Sequence, residues 1–221
     1  MIRRIALVAL TALLFTPLVA GAAELPPKPT AAEAKVVAAM SVDLQKRFPT
    51  LKDAEAAGYV RYTNEDETGA ISYANPTHLT STDIKDPSQL WYDVNGKLLG
   101  ADFAVPRDAI GTAPALFGFD AIRAHKLGAH VHYVLKNADG TYTYGRAVGA
   151  KKYTDAGLDP TKPDAASIVK LGTAKSAADV VAIIPFTNMW DVLVWAIPNP
   201  DGAFADANPN VKPSATAAAG H

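Results

Sequence analysis

The 221-residue chain contains no cysteine. Disulfide stapling, a thiol nucleophile, thiolate metal ligands and a lipidated N-terminal Cys are excluded together, so any metal would have to be held by His, Asp or Glu. Basic clusters are also missing: no run of Lys or Arg exceeds a pair, as at Lys151-Lys152, and 21 basic residues stand against 22 acidic ones. A nucleic-acid-binding protein would present a basic stripe, so that partner class is set aside. Beyond the first 22 residues no apolar run approaches the roughly 20 residues of a membrane span. There is no glycine-rich phosphate loop, no nucleophile elbow and no repeat of fixed period. What is left is 49% apolar and 19% charged, the composition of one globular domain with its own core.

The first feature present is a leader. Arg3 and Arg4 precede an apolar run over residues 5–20 that ends in Ala20-Gly21-Ala22, the pattern of a secretory signal peptide with a small-x-small cleavage site. Residues 1–22 are expected to be removed, which takes two arginines and leaves a soluble periplasmic or secreted protein. The rest of a twin-arginine motif is missing, so ordinary unfolded export is the reading. Leu25-Pro26-Pro27-Lys28-Pro29 makes 23–29 a stiff extended spacer. Residues 30–211 form the single domain, and the low-complexity tail 212–221 is expected to be disordered.

Within the domain, Thr30-Ala31-Ala32-Glu33 is a capping box opening a helix with Val36, Val37, Met40 and Leu44 on one face. A weaker box at Thr50 opens a second helix that Gly58 closes. The period then shifts toward two, with strands expected at 59–62, 70–73, 90–94, 97–105, 129–136, 141–148 and 191–197. Asn95-Gly96 is read as a two-residue hairpin turn. Short helices are expected at 119–127, 164–171 and 176–184, and Asn-Pro turns at Asn75, Asn199 and Asn208. This predicts an α+β fold: an antiparallel, hairpin-rich β-sheet of about six to eight strands with N-terminal and inserted helices packed on one side.

One constellation carries chemistry. His130-Val131-His132 lies in a strand, where alternate residues share a face about 6.6 Å apart along the strand, so two imidazoles could converge on one ion. Five histidines in 221 residues give about 0.1 such pair by chance, and the competing reading is two polar histidines on a hairpin. The opposite face, with Val131, Tyr133 and Leu135, reads as core. His78, His125 and Asp102 are the candidates for a third ligand, with zinc or copper the ions imidazole suits. His221 ends the tail and is set aside. Ser167-Ile168-Val169-Lys170 matches a serine-lysine spacing without companion motifs. Residues 64–69 begin like a calcium loop but lack its closing glutamate, Asn75 standing in that place. Trp91, Trp190 and Trp195, with several tyrosines, could line a ligand pocket or fill the core.

Gly58-Tyr59-Val60, the segment from Asn95 to Pro106, Leu116-Phe117-Gly118, the His-x-His strand and Asn199-Pro200-Asp201-Gly202-Ala203-Phe204 running to Asn208-Pro209-Asn210-Val211 together resemble a family of uncharacterised secreted bacterial proteins. The resemblance covers most of the chain from Gly58 onward. It implies an exported single-domain protein and no particular activity. It also implies a further His in the strand that here reads Gly69-Ala70-Ile71-Ser72-Tyr73, where this sequence has none, so His78 would have to substitute.

Three functions follow as expectations. The first is a non-enzymatic periplasmic binding protein with a transition-metal site at His130 and His132. The second is a metal-dependent hydrolase at the same residues with Asp102 as base. The third is a metal-free module binding an apolar ligand or a partner protein through its aromatic sheet face.

Overall fold

A computed structural model describes residues 28–107 and 115–217. The expected leader, residues 23–27 of the spacer and His221 lie outside the described residues.

The capping boxes do what their residue types dictate. Thr30 Oγ1 accepts from the Glu33 backbone N–H while the Glu33 carboxylate accepts from that of Thr30, starting α1 (Ala31–Arg47). Thr50 and Asp53 repeat the device at α2 (Leu51–Ala56). From α1, Met40, Leu44 and the following Phe48 are buried against Tyr73, Leu90, Tyr92, Phe103 and Val192. Each such side chain contributes about 1.5–3 kcal/mol on leaving water, which is what holds the helix down.

The α+β expectation is met: the described residues form nine strands, all paired antiparallel, divided between two sheets. In sheet order the first comprises β1 (Val60–Arg61), β2 (Ile71–Ala74), β3 (Gln89–Tyr92), β4 (Leu98–Pro106), β9 (Met189–Trp195) and β5 (His125–Leu127). The second comprises β7 (Tyr142–Gly149), β6 (His130–Lys136) and β8 (Val180–Phe186). Each sheet carries helices on its outer face: α1 on the first, α3 (Ala150–Asp155) and α4 (Ala165–Lys170) on the second, around Val131, Tyr133, Tyr153 and Ile168.

The two sheets are one ribbon bent across the middle. β5 runs into β6 through Gly128-Ala129, and β8 into β9 through Thr187-Asn188, with no change of register. Leu127 stands opposite Met189, and three steps along each strand His130 stands opposite Phe186. Asn188 bridges the bend, its Oδ1 accepting from Ala129 N at 3.1 Å and its carbonyl from Arg107 N at 2.7 Å. At the far edge Gly145 N donates to Tyr62 O at 2.9 Å, closing β7 onto the first sheet. Gly145 has a φ of +71°, and a Cβ there would sit 3.1 Å from the Asn64 amide nitrogen, so both backbone and space require glycine. The inner faces pack through Ala74, Ala104, Met189, Ile184 and Phe186 and leave a cavity beside them.

Three local expectations are corrected. Residues 119–127 hold only a 3-10 turn, Ala121–Arg123, before the chain enters β5. Residues 176–184 begin helically, as Ala177–Asp179, but the β-branched run that follows belongs to β8, an edge strand that tolerates Pro185. The hairpin near Asn95 is present, but its tip is the turn Asp93 to Gly96, closed by Gly96 N donating to Asp93 O at 3.0 Å, with Gly96 alone at positive φ. That is a type I turn followed by a left-handed glycine rather than a two-residue turn.

The C-terminal segment returns across the molecule. Each Asn-Pro asparagine folds its own turn and ties a more distant backbone carbonyl: Asn199 Nδ2 donates to Ala207 O, Asn208 Nδ2 to Pro198 O just after β9, and Asn75 Nδ2 to Ala57 O at the end of α2. The Asn199 to Val211 motif is thus a cross-linked loop. Beyond it, Ser214 donates through its backbone and hydroxyl to the buried Glu65 carboxylate, so residues 212–217 lie along the domain.

Candidate functional site

The cavity between the inner faces measures about 310 Å³. Strand alternation places its walls. On β6, His130 and His132 point inward while Val131 and Tyr133 are buried on the other side. On the first sheet the same inner face presents Ser72, Gln89, Trp91, Asp102, Asp191 and Leu193.

The imidazoles meet. Their ring centroids are 4.8 Å apart at 77°, His130 stacks flat on Phe186 at 4.9 Å, and His132 packs edge-on against Tyr62 at 4.6 Å. His130 Nδ1 lies 2.6 Å from Gly128 O. Since a carbonyl only accepts, Nδ1 carries the proton there and Nε2 is left with the lone pair of the neutral ring.

Opposite them lie two carboxyls. Asp102 on β4 and Asp191 on β9 are diagonal neighbours on one face, about 7 Å apart in such a ladder. Asp102 is 6% exposed, and its Oδ2 accepts from Trp91 Nε1 at 3.1 Å. Its Oδ1, and Oδ1 of Asp191, are shut from solvent and accept no hydrogen bond from any described residue. Burial pushes the Asp191 carboxyl up to about 7. Burial, reinforced by the charge of Asp191 and partly offset by the Trp91 donor, holds Asp102 well above the usual carboxylate range. Near neutrality the pair therefore retains a proton.

Glycine makes this arrangement possible. Gly100 faces Trp91 across the β3–β4 ladder, and a Cβ at Gly100 would lie 2.6 Å from Trp91 Cε3 and from Val194 O. Only a bare backbone lets the indole lie across β4 and reach Asp102. Tyr62 is buried and donates its hydroxyl to Gln89 Oε1, and burial raises its ionisation far beyond neutral solution, so it stays a donor. Trp195, held by its Nε1 donating to Ala205 O at 2.6 Å, forms the end wall with Trp91 edge-on to it.

Of the residues picked from the sequence, the structure gathers His130, His132 and Asp102 around one cavity. His78 and His125 are elsewhere. His78 Nδ1 sits 3.2 Å from both Tyr59 Oη and Pro87 O. His125 is exposed on β5, across from Asp191, and does not line the cavity. Among the described residues no group of three His, Asp or Glu side chains is gathered closely enough to hold a metal ion. Ala70 and Ser72, from the segment where the resemblance implies a further His, do line the cavity, and neither is a strong ligand. Sequence reasoning missed Asp191, and the signal was there: an acid inside Met189-Trp190-Asp191-Val192-Leu193-Val194-Trp195 is as conspicuous as Asp102 inside Leu98 to Pro106. The chain matches no protein-family model, no curated protein and no solved structure. Among the described residues no helix is long and apolar enough to cross a membrane.

Proposed function

We propose that this is an exported, non-enzymatic binding protein that takes a small organic ligand between its two sheets. The observation that carries the reading is the pair of buried, unpartnered carboxyl oxygens facing an aromatic-walled cavity of about 310 Å³. Buried polar atoms without partners cost about 1–3 kcal/mol each, a cost that a ligand bringing donors would remove. The leader and the resemblance to secreted bacterial proteins support the periplasmic or secreted location.

A thermal-shift screen of tag-free protein against small amines, acids, alcohols and sugars tests it, run beside a Ser72→Phe variant that fills the cavity. A ligand that raises the midpoint of the wild type and not of the variant is the expected result. Equal shifts in both, or none in the wild type, would overturn it.

A second reading keeps zinc or copper at the histidines. It is favoured by the Nδ1 contact of His130 with Gly128 O, the kind of second partner that orients a ligating imidazole and leaves Nε2 for the metal. Calorimetry with zinc and copper on wild type, His130→Ala and His132→Ala decides it: stoichiometric binding lost in both variants supports the metal, and no binding by the wild type removes it.

A further inference from the structure

The cavity has a charge as well as a shape. Four carboxyls line it, Asp66, Asp102, Asp191 and Asp206, and among its described lining residues there is no Lys or Arg. Asp66 is occupied locally, its Oδ1 accepting from Thr68 N, Thr68 Oγ1 and Ala70 N. Asp102 and Asp191 are different, because each turns an oxygen into a dry wall with nothing donating to it. The flanking walls are π-faces: Trp91, Trp195, Tyr62 and Phe186. Unsatisfied carboxyl oxygens ask for N–H donors, an excess of acid asks for positive charge, and aromatic faces attract a cation while covering its apolar body. An anion would meet four acids, and a neutral apolar molecule would leave both carboxyls as they are. A bare metal ion needs three converging ligands, which the described residues do not assemble.

We propose that the ligand is an organic ammonium, a protonated amine on an apolar or aromatic body, whose N–H groups are taken by Asp102 and Asp191. This names the ligand class of the binding function proposed above and rests on it. The ammonium takes over the role of the proton that the acid pair retains, so binding releases that proton. The titratable groups around the pair are His130 and His132 from β6, Tyr62 and Asp66 from the segment after β1, and Asp206 from the C-terminal loop, all lining the cavity, with the exposed His125 beside Asp191 on β5 outside it. In acid the two carboxyls are neutral and no longer attract a cation.

The test is calorimetry, with tryptophan fluorescence as a second readout, on the tag-free protein. The probes are phenethylamine, 2-phenylethanol and 3-phenylpropionate, which share a body and differ in charge. At pH 8 phenethylamine should bind at least ten-fold more tightly than the alcohol, with no binding of the acid. Its affinity should fall at least ten-fold at pH 5.5 and at least ten-fold in Asp191→Asn. Asp191→Asn should still bind the alcohol, which shows that the cavity is intact. If the alcohol or the acid binds as well as the amine, the ammonium proposal fails and the binding cavity stands. If none of the three binds the wild type at either pH, the ammonium proposal fails, and the binding function fails with it only if the wider thermal-shift screen is also empty.

Discussion

Two of the places where this protein buries carboxyl groups do so in opposite ways. At the start of α1, Glu33 is 2% exposed and fully occupied. Arg123 donates to both of its oxygens, at 3.0 and 3.1 Å, and the backbones of Thr30 and Asp120 donate as well. The Arg123 bond leads the causes that hold its ionisation down to about 2. In the cavity, Asp102 is buried and Asp191 half-buried, and each holds an Oδ1 shut from solvent with no donor among the described residues, facing one another and two histidines. A carboxylate buried for structure has its partners supplied by the chain. A carboxylate buried without them is a cost the fold carries, and such costs collect where something else is meant to bind.

The two sites can be separated experimentally. Removing the cation at the first, Arg123→Ala, leaves Glu33 buried without its counter-ion and should cost about 3–5 kcal/mol in chemical denaturation; a loss under 1 kcal/mol would deny that the pair is structural. The contribution of Glu33 has a definite pH sign. With its ionisation lowered from 4.5 to about 2, the stability it gives is complete above pH 4.5 and is lost as pH falls toward 2.

The support of the cavity comes next. Gly100→Val drives a side chain into Trp91 and should cost about 1–3 kcal/mol through overpacking, with a change in tryptophan fluorescence as the indole leaves Asp102. An unaltered spectrum would mean that the indole is not held flat across β4.

The smallest effect has the opposite sign. Asp191 is raised from 3.8 to about 7, so folding disfavours its charged form: its own contribution to stability is greatest below pH 3.8 and is lost as pH rises through 7. Asp191→Asn should therefore stabilise the protein at pH 8, by about 1 kcal/mol, and by much less at pH 4. A variant destabilised equally at both pH values would place Asp191 in the same class as Glu33.

Much of the scaffold was legible because local rules were obeyed. The boxes at Thr30 and Thr50 predicted α1 and α2, and the helix expected at 164–171 is α4, where Asp164 and Ser167 form a capping box. Where the reading failed, a true local signal was overruled by its surroundings. Ser176 does cap a turn, its Oγ accepting from Ala178 N, but Val180 to Ile184 pair with β6 instead of continuing the helix. The helix α3 gave no warning, because its N-cap Gly149 makes no side-chain bond. The histidine face of β6 followed from alternation alone. The sequence pattern starts a strand at Asp191, a place where a polar residue needs no explanation. Only the pairing of β9 with β4 and β5 puts it in the cavity wall.

The central claim is that the acid pair is kept short of partners so that a ligand can complete it. Carbon-detected NMR titration of the aspartate side-chain carboxyls, with and without phenethylamine, measures this directly. Without the amine, a carboxyl of the Asp102–Asp191 pair should titrate near pH 7, vanish from that range in Asp191→Asn, and drop below pH 5 when the amine is present. If every aspartate of the wild type titrates between about 3 and 4.5, the pair is hydrated and satisfied, and the account of the cavity is wrong.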